Sequence, residues 1–265
     1  MKIGIVYKEE DKLIAGTAKK IIAELRASGY KILELHKAQP LKGMPFAITL
    51  GGDGTVLRAA RILSRSKVPM LAVFLGGLGL LTEIPLLGIK HALEQIKKKK
   101  YHIDSRMMLD IDIYRSKKRI NGSIALNDAV IGKSSIARTI KLEAFLGEKS
   151  IADYVGDGLI ISTPTGSTAY NFAVNGPIIP PHGKTYVISP ICPHRAANRS
   201  IVLAEPVTIR IQKGEDNLLT IDGQETFKLK KDDEVRVNIS KFRTDFIRLK
   251  DYDIWGLLRA KLGWG

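Results

Sequence analysis

Leu50-Gly51-Gly52-Asp53-Gly54-Thr55 joins two stretches of different character. Before it, Phe46-Ala47-Ile48-Thr49-Leu50 reads as a buried strand. After it, Val56-Leu57-Arg58-Ala59-Ala60-Arg61-Ile62-Leu63 carries a helical pattern. Three glycines in four positions let the backbone turn tightly and come close to a ligand. The N–H groups there and at the following helix start can face an anion, so Gly51, Gly52, Gly54 and Thr55 are candidate phosphate-binding positions. A carboxylate in such a cradle repels phosphate unless it handles a metal or a proton. Asp53 therefore points to phosphoryl transfer, where catalysis is mostly positioning and charge control. A plain strand-to-helix turn capped by Asp53 is the other reading of these residues.

On the amino-terminal side, residues 2–7 read as a buried strand. A helix follows over 11–28, with Ile14, Ala18, Ile21, Ile22 and Leu25 on one face and Gly29 at its end. Tyr30 to Leu35 alternates as a second strand. On the carboxyl side, a helix over 55–65 leads to the apolar strand Pro69 to Phe74. Then comes the glycine-rich stretch Leu75-Gly76-Gly77-Leu78-Gly79-Leu80-Leu81-Thr82-Glu83 and a helical pattern over Pro85 to Lys97. Alternating strands and helices predict a parallel sheet covered by helices. Glycines at a strand's carboxyl end mark where open α/β sheets build their binding crevice. The G-x-G-x-x-G fingerprint is absent from the first strand–helix turn.

The pattern changes near residue 101. Met108 to Arg115 and Ile140 to Phe145 alternate strictly. Ser123 to Leu126, Leu159 to Ser162, Thr185 to Ser189, Val207 to Gln212, Leu218 to Ile221 and Glu234 to Ile239 read as short strands, with turns placed at Asn121-Gly122, Lys213-Gly214 and Asp232-Asp233. The expected fold class is α/β plus β. A Rossmann-like α/β domain covers 1–100, a β-rich, β-sandwich-like domain covers 101–245, and a tail over 246–265, helical at Ile254 to Leu262, packs back on the first.

The net charge of +15 comes from 42 Lys and Arg against 27 Asp and Glu, and suits polyanionic partners such as nucleotides. Basic residues are dispersed and aromatics make up 6%, unlike a nucleic-acid module with interleaved basic and aromatic residues. The single cysteine, Cys192, excludes an internal disulfide and fits a reducing cytosol. The apolar start is too short for a signal segment, and the run from Met70 to Leu81 is too short to span a bilayer. These features predict a cytoplasmic protein without membrane partners.

Further polar clusters mark the second half. Asn127-Asp128 ends a strand, where an amide beside a carboxylate can grip ribose hydroxyls or form a turn. Asp157 and Thr163-Pro164-Thr165-Gly166-Ser167-Thr168-Ala169-Tyr170 flank another strand, with hydroxyls and N–H groups for a nucleotide and Tyr170 for stacking. Asp222-Gly223-Gln224 reads as a hairpin turn. Gly132-Lys133-Ser134 and Gly183-Lys184-Thr185 are not P-loops, because Asn127 and Ile178 stand where the motif needs glycine. The histidines have no metal-ligand spacing, so no protein-held metal is expected.

With these residues in view, the chain resembles the NAD kinases nearly end to end. The resemblance is carried by Gly51 to Thr55, the Gly76 to Glu83 loop, Asn127-Asp128, the Asp157 to Tyr170 block, Asp222 to Gln224 and the closing Lys261 to Gly265. The first motif also occurs in diacylglycerol and sphingosine kinases; the 163–170 block is far more specific. The resemblance implies NAD bound between an α/β and a β-rich domain, a donor that is ATP or polyphosphate, Mg²⁺ with the donor, and a homo-oligomer, dimer or tetramer. By position, Asp53 is the implied catalytic base and Gly54 its substrate-binding neighbour. Asn127 and Asp128 hold the NAD sugar. Asp157, Thr168, Ala169, Tyr170, Asn171, Phe172 and Ala173 hold the adenine and ribose region. Arg138, Thr165 and Gln224 add contacts, and Arg58, about one helical turn after Asp53, neutralises a phosphate. This chain departs from the common family pattern at Leu80, Asp128, Val155 and Asn175, where Phe, Glu, Arg and Gly are frequent. A lipid kinase sharing the glycine turn and a non-enzymatic nucleic-acid binder are the alternatives.

Overall fold

The structure, a computed structural model, describes residues 1–133, 139–214, 217–249 and 253–263. Arg138 and the closing Trp264-Gly265 lie outside the described residues. The chain forms two compact units, Met1–Ser105 with Arg243–Gly265, and Arg106–Phe242. No helix among the described residues is long and apolar enough to cross a membrane.

The first unit runs β1 (Lys2–Tyr7), α1 (Lys12–Ala27), β2 (Lys31–Glu34), β3 (Ala47–Leu50), α2 (Asp53–Leu63), β4 (Met70–Phe74), β5 (Ile84–Pro85) and α3 (Ile89–Lys97). The sheet order β4-β3-β1-β2 is parallel at every pairing. Strands buried on both faces must be apolar throughout, and β3 is buried at all four positions. Asp11 starts α1 by accepting from the N–H groups of Leu13 and Ile14. Ala18, Ile22 and Leu25 of that helix join Ile3, Ile5, Ile48 and Leu71 in one core. Leu50 lies beside Val73 in the ladder, so β3 and β4 end side by side and each opens into a glycine-rich turn.

The second unit is almost entirely strands. β6 (His102–Arg115) enters from the first unit and forms a hairpin with β7 (Lys118–Ala125). β8 (Asp128–Lys133), β9 (Ile140–Leu146), β10 (Lys149–Gly156) and β11 (Gly158–Ser162) follow. After the one-turn α4 (Tyr170–Ala173) come β12 (Tyr186–Ile191), β13 (Ile201–Leu203), β14 (Val207–Lys213), β15 (Asn217–Ile221), β16 (Glu225–Leu229) and β17 (Glu234–Arg248). One sheet is ordered β13-β12-β11-β8-β15-β16, each pair antiparallel. The other runs β10-β9-β14-β17. Ile131, Ile161 and Leu219 of the first sheet share one core with Leu142, Ile209 and Val235 of the second, a sandwich-like arrangement. The last residues of β17 belong to the first unit, where Phe246 pairs in parallel with Met70. α5 (Ile254–Leu262) follows there and buries Leu258.

One expected turn is misplaced. Asn121-Gly122 lies inside β7, and the hairpin turns instead at Ser116-Lys117, with φ of 49° and 65°. That register sets Leu109 opposite Ala125 and keeps Leu109, Ile111 and Ile113 in the core, which outweighs the turn preference of Asn-Gly. β17 is also far longer than the expected 234–239. The Asp232-Asp233 turn does form, with Asp232 at φ 66°. Fully buried Asp233 accepts two bonds from Arg115, at 2.8 and 2.7 Å, and a third from Lys230 N–H at 2.7 Å. Asp233→Ala leaves those donors unmatched and is expected to destabilise the protein by about 2–3 kcal/mol, read as a lower urea midpoint at unchanged m-value.

Candidate active site

At the end of β3 the chain reverses into α2. Gly51 sits at φ 150°, a region that side chains rarely adopt. Gly52 is the N-cap of α2 and no side chain caps the helix, so Asp53 is not the cap that the turn reading allows. Its half-buried carboxylate crosses instead to the loop after β4. Leu80 N–H donates to Oδ2 at 2.9 Å and Leu81 N–H to Oδ1 at 3.1 Å. The loop itself is pinned by Gly79 N–H on Thr82 Oγ1 at 3.0 Å and by Glu83 N–H on Ala72 C=O at 3.1 Å. Any Cβ at Gly79 falls 1.9 Å from Asp53 Oδ1, so glycine is required for this approach. A carboxylate has about four lone-pair sites, so two N–H bonds fix its direction and leave acceptor capacity for a substrate hydroxyl. Its place in the first turn of α2 also sets it at the positive end of the helix. Arg58 is engaged elsewhere, donating to His36 C=O at 3.1 Å and pairing with Glu10 at 3.7 Å.

The second unit gathers Asn127, Asp128, Thr163, Thr165 and Gly166 at one end of β8 and β11. Thr163 N–H donates to Asn127 C=O, Thr163 Oγ1 to Leu126 C=O, and Gly166 N–H to Thr163 Oγ1. The organising residue was missed by sequence reasoning. Asp222, at φ 50° in the β15–β16 hairpin, accepts from the N–H groups of Leu126, Asn127 and Asp128 at 3.1, 2.8 and 3.2 Å. The signal available was the Asp-Gly pair, read only as a turn. Two side-chain oxygens here, Asn127 Oδ1 and Thr165 Oγ1, are buried without a hydrogen-bond partner among the described residues. Unmet buried acceptors are rare and call for a ligand or water. Burial first, and the neighbouring Asp222 carboxylate second, push the Asp128 carboxyl up from 3.8 to about 7.

The remaining predicted residues divide by role. Thr168 Oγ1 donates to Thr165 C=O at 3.3 Å, and Tyr170 exposes 45% of its surface. Asn171 is fully buried and internally committed, with Nδ2 on the carbonyls of Ser167 and Pro177 and Oδ1 accepting from Ser189. It braces α4, which also carries Phe172 and Ala173, while Ala169 immediately precedes it. Asp157 pairs with Lys133 Nζ at 2.6 Å. Gln224 closes the hairpin with its N–H on Ile221 C=O. Among the described residues no group of three acidic, histidine or cysteine side chains can hold a metal ion.

Known proteins match both units. Residues 8–101 match the family model of the ATP-NAD kinase N-terminal domain, and 126–249 that of the C-terminal domain. The NAD kinase of Geotalea daltonii is 39% identical over 280 residues, covering 100% of this chain and 99% of the relative. That of Aquifex aeolicus is 38% identical over 276 residues, covering 100% of both. The yeast NADH kinase complexed with NADH superposes with a TM-score of 0.88 at 20% identity, over 100% of this chain and 88% of that one. An NAD kinase from Archaeoglobus fulgidus in complex with ATP gives 0.78 at 23% identity, over 99% of each. These last two share the fold. The two matched domains define a class of phosphotransferases. Within it, the chain belongs to the NAD kinase family, which selects among the three readings the sequence allows.

Two expectations follow from this geometry. Gly79→Ala displaces Asp53 or the loop, and a shift near 1 Å at a reacting group costs about 10²-fold, so turnover should fall by that order while the fold persists, checked by steady-state assay beside thermal melting. Asp128 keeps its proton longer folded than unfolded, so its own contribution to stability is fully present below about pH 4, is lost as pH rises from about 4 to about 7, and then levels. Asp128→Asn should remove that slope, gaining on the parent by a few kcal/mol between pH 4 and pH 8 in urea titrations.

Proposed function

We propose that the protein transfers the γ-phosphoryl group of ATP to the 2′-hydroxyl of the adenosine ribose of NAD, giving NADP and ADP. The observation that carries this is the Asp53 carboxylate beside the glycine turn, held in one orientation by the N–H groups of Leu80 and Leu81. A ribose hydroxyl is a poor nucleophile near neutral pH. Asp53 accepts its proton as the oxygen–phosphorus bond forms and the bond to the ADP oxygen breaks, a contribution of about 10²–10⁴-fold. The glycine turn and the α2 N-terminus carry the donor phosphates, although the N–H groups of Gly51 and Thr55 are already bonded to Val73 C=O and Gly52 C=O.

In the second unit, the unmet oxygens of Asn127 and Thr165 accept from the hydroxyl and amino groups of the adenosine moiety. Asp128 adds a ribose contact. Tyr170 offers its exposed ring for stacking, and Asp157, Thr168, Ala169, Asn171, Phe172, Ala173 and Gln224 form the surrounding wall and its braces. Arg138 and Arg58 complete the set by resemblance. Mg²⁺ enters with the donor, neutralising the oxygens of its phosphates. Family resemblance also supports a cytoplasmic homo-oligomer.

Asp53→Asn keeps an oxygen acceptor but loses proton affinity. The expected result is a turnover loss of at least about 10²-fold with NAD affinity by calorimetry within a few-fold of the parent. Offering NAD and Mg²⁺ with ATP or with polyphosphate, and reading NADP, identifies the donor. Full turnover by the asparagine variant would sink the assignment of the base.

A further inference from the structure

Arg248, 195 residues beyond Asp53, is one of the most deeply buried large side chains, with 1% of its surface exposed. It ends β17 and belongs to the first unit. A buried guanidinium is costly unless its charge is paired. Here Nε donates to Asp104 Oδ2 at 3.2 Å, and Nη1 donates to Glu83 Oε2 at 3.2 Å and to Leu81 C=O at 3.3 Å. Its face lies 4.7 Å from the centre of the Phe246 ring. Asp104 is as buried as Arg248, while Glu83 is partly exposed.

Two of these partners lie in the loop after β4. Leu81 is held on both sides, its C=O by Arg248 and its N–H by Asp53 Oδ1. Glu83 is held by Arg248 through its side chain and by Ala72 through its N–H. The guanidinium thus fixes the end of the loop whose amides aim the carboxylate. We propose that Arg248 is a positioning residue for phosphoryl transfer. It touches no reacting atom and acts by locking Leu81 so that two N–H groups stay on Asp53. Lysine at this position preserves the charge but cannot span Asp104, Glu83 and Leu81 with a planar fork. This inference rests on Asp53 being the base.

The test is Arg248→Lys in the full chain, with Asp53→Asn and the double variant. The expected result is a kcat about 10- to 100-fold lower, with KM for NAD and ATP changed less than about 3-fold. Amide hydrogen exchange at Leu80 and Leu81 should accelerate, and the lysine substitution should cost no further turnover in the Asp53→Asn background. A folded Arg248→Lys protein with parental kcat, or losses that multiply in the double variant, overturns the inference. If Arg248→Lys does not fold, Glu83→Gln, which removes only the partly exposed partner, should give the same pattern more weakly, and unchanged amide exchange at Leu81 overturns it. If Asp53→Asn itself turns over normally, the base assignment fails, whereas the amide exchange still tests whether Arg248 holds the loop.

Discussion

The structure of the first unit turns on one carboxylate shared between two chain reversals. β3 and β4 are parallel neighbours, so their ends emerge together, and each must release its backbone into a turn. Glycines let both turns approach, but nothing in glycine holds them there. Asp53 does, by accepting an N–H on each of its oxygens from residues 27 and 28 positions further on. The same bonds remove the side chain's rotational freedom and fix the direction of the carboxylate before any ligand arrives. The requirements then spread outward. Gly79 must lack a Cβ, Thr82 must receive the Gly79 N–H, and the loop's far end must be anchored to β4 and to a buried arginine.

The second unit uses the same device for a different purpose. Asp222 turns its carboxylate onto three consecutive N–H groups, those of Leu126 to Asp128, and so holds the bend between β7 and β8. That leaves Asn127 with its C=O bonded to Thr163 and its side-chain oxygen buried and unmet. An unmet acceptor is costly, on the order of 1–3 kcal/mol, and the cost is returned when a ligand donates to it. Asp128 carries a related strain. It is buried close enough to Asp222 for its proton to be retained to about pH 7. Two neighbouring acids therefore divide the work, one accepting backbone N–H bonds and one remaining titratable where a sugar is expected.

How much of this could be read beforehand depended on the range of the forces involved. The parallel sheet was legible because strands buried on both faces are apolar runs, and α1 because the 3.6-residue spacing and Gly29 at its end are local signals. The β-rich half was legible as a class but not in its register. Asn121-Gly122 is the stronger local turn signal, yet burial of Leu109, Ile111 and Ile113 moved the reversal to Ser116-Lys117. β17 was cut short at Ile239 because Lys241 and Arg243 interrupt its alternation, although the strand continues into the buried Phe246, Ile247 and Arg248. Asp53 was legible as an anomaly, since no simple phosphate cradle needs an acid. Its partners, and Asp222 with its three amides, were not, because backbone N–H groups leave no mark in a sequence.

That last point explains why the chain's departures from the common family pattern are tolerable. Leu80 meets Asp53 through its N–H, which any residue except proline provides, so phenylalanine and leucine serve equally in that bond. Asn175 replaces a frequent glycine at φ 60°, a conformation that asparagine visits more readily than most residues. Where arginine is common, Val155 contributes its C=O to His194 N–H, and Asp157 finds its cation in Lys133. Asp128 alone changes a side chain whose own carboxyl matters. It is one methylene shorter than glutamate, and burial is the first cause of its raised pKa. The contacts that need an exact atom are thus carried by the backbone, by the half-buried Asp53 and by the buried Asp222 and Arg248. The side chains around them vary within the limits that those fixed points set.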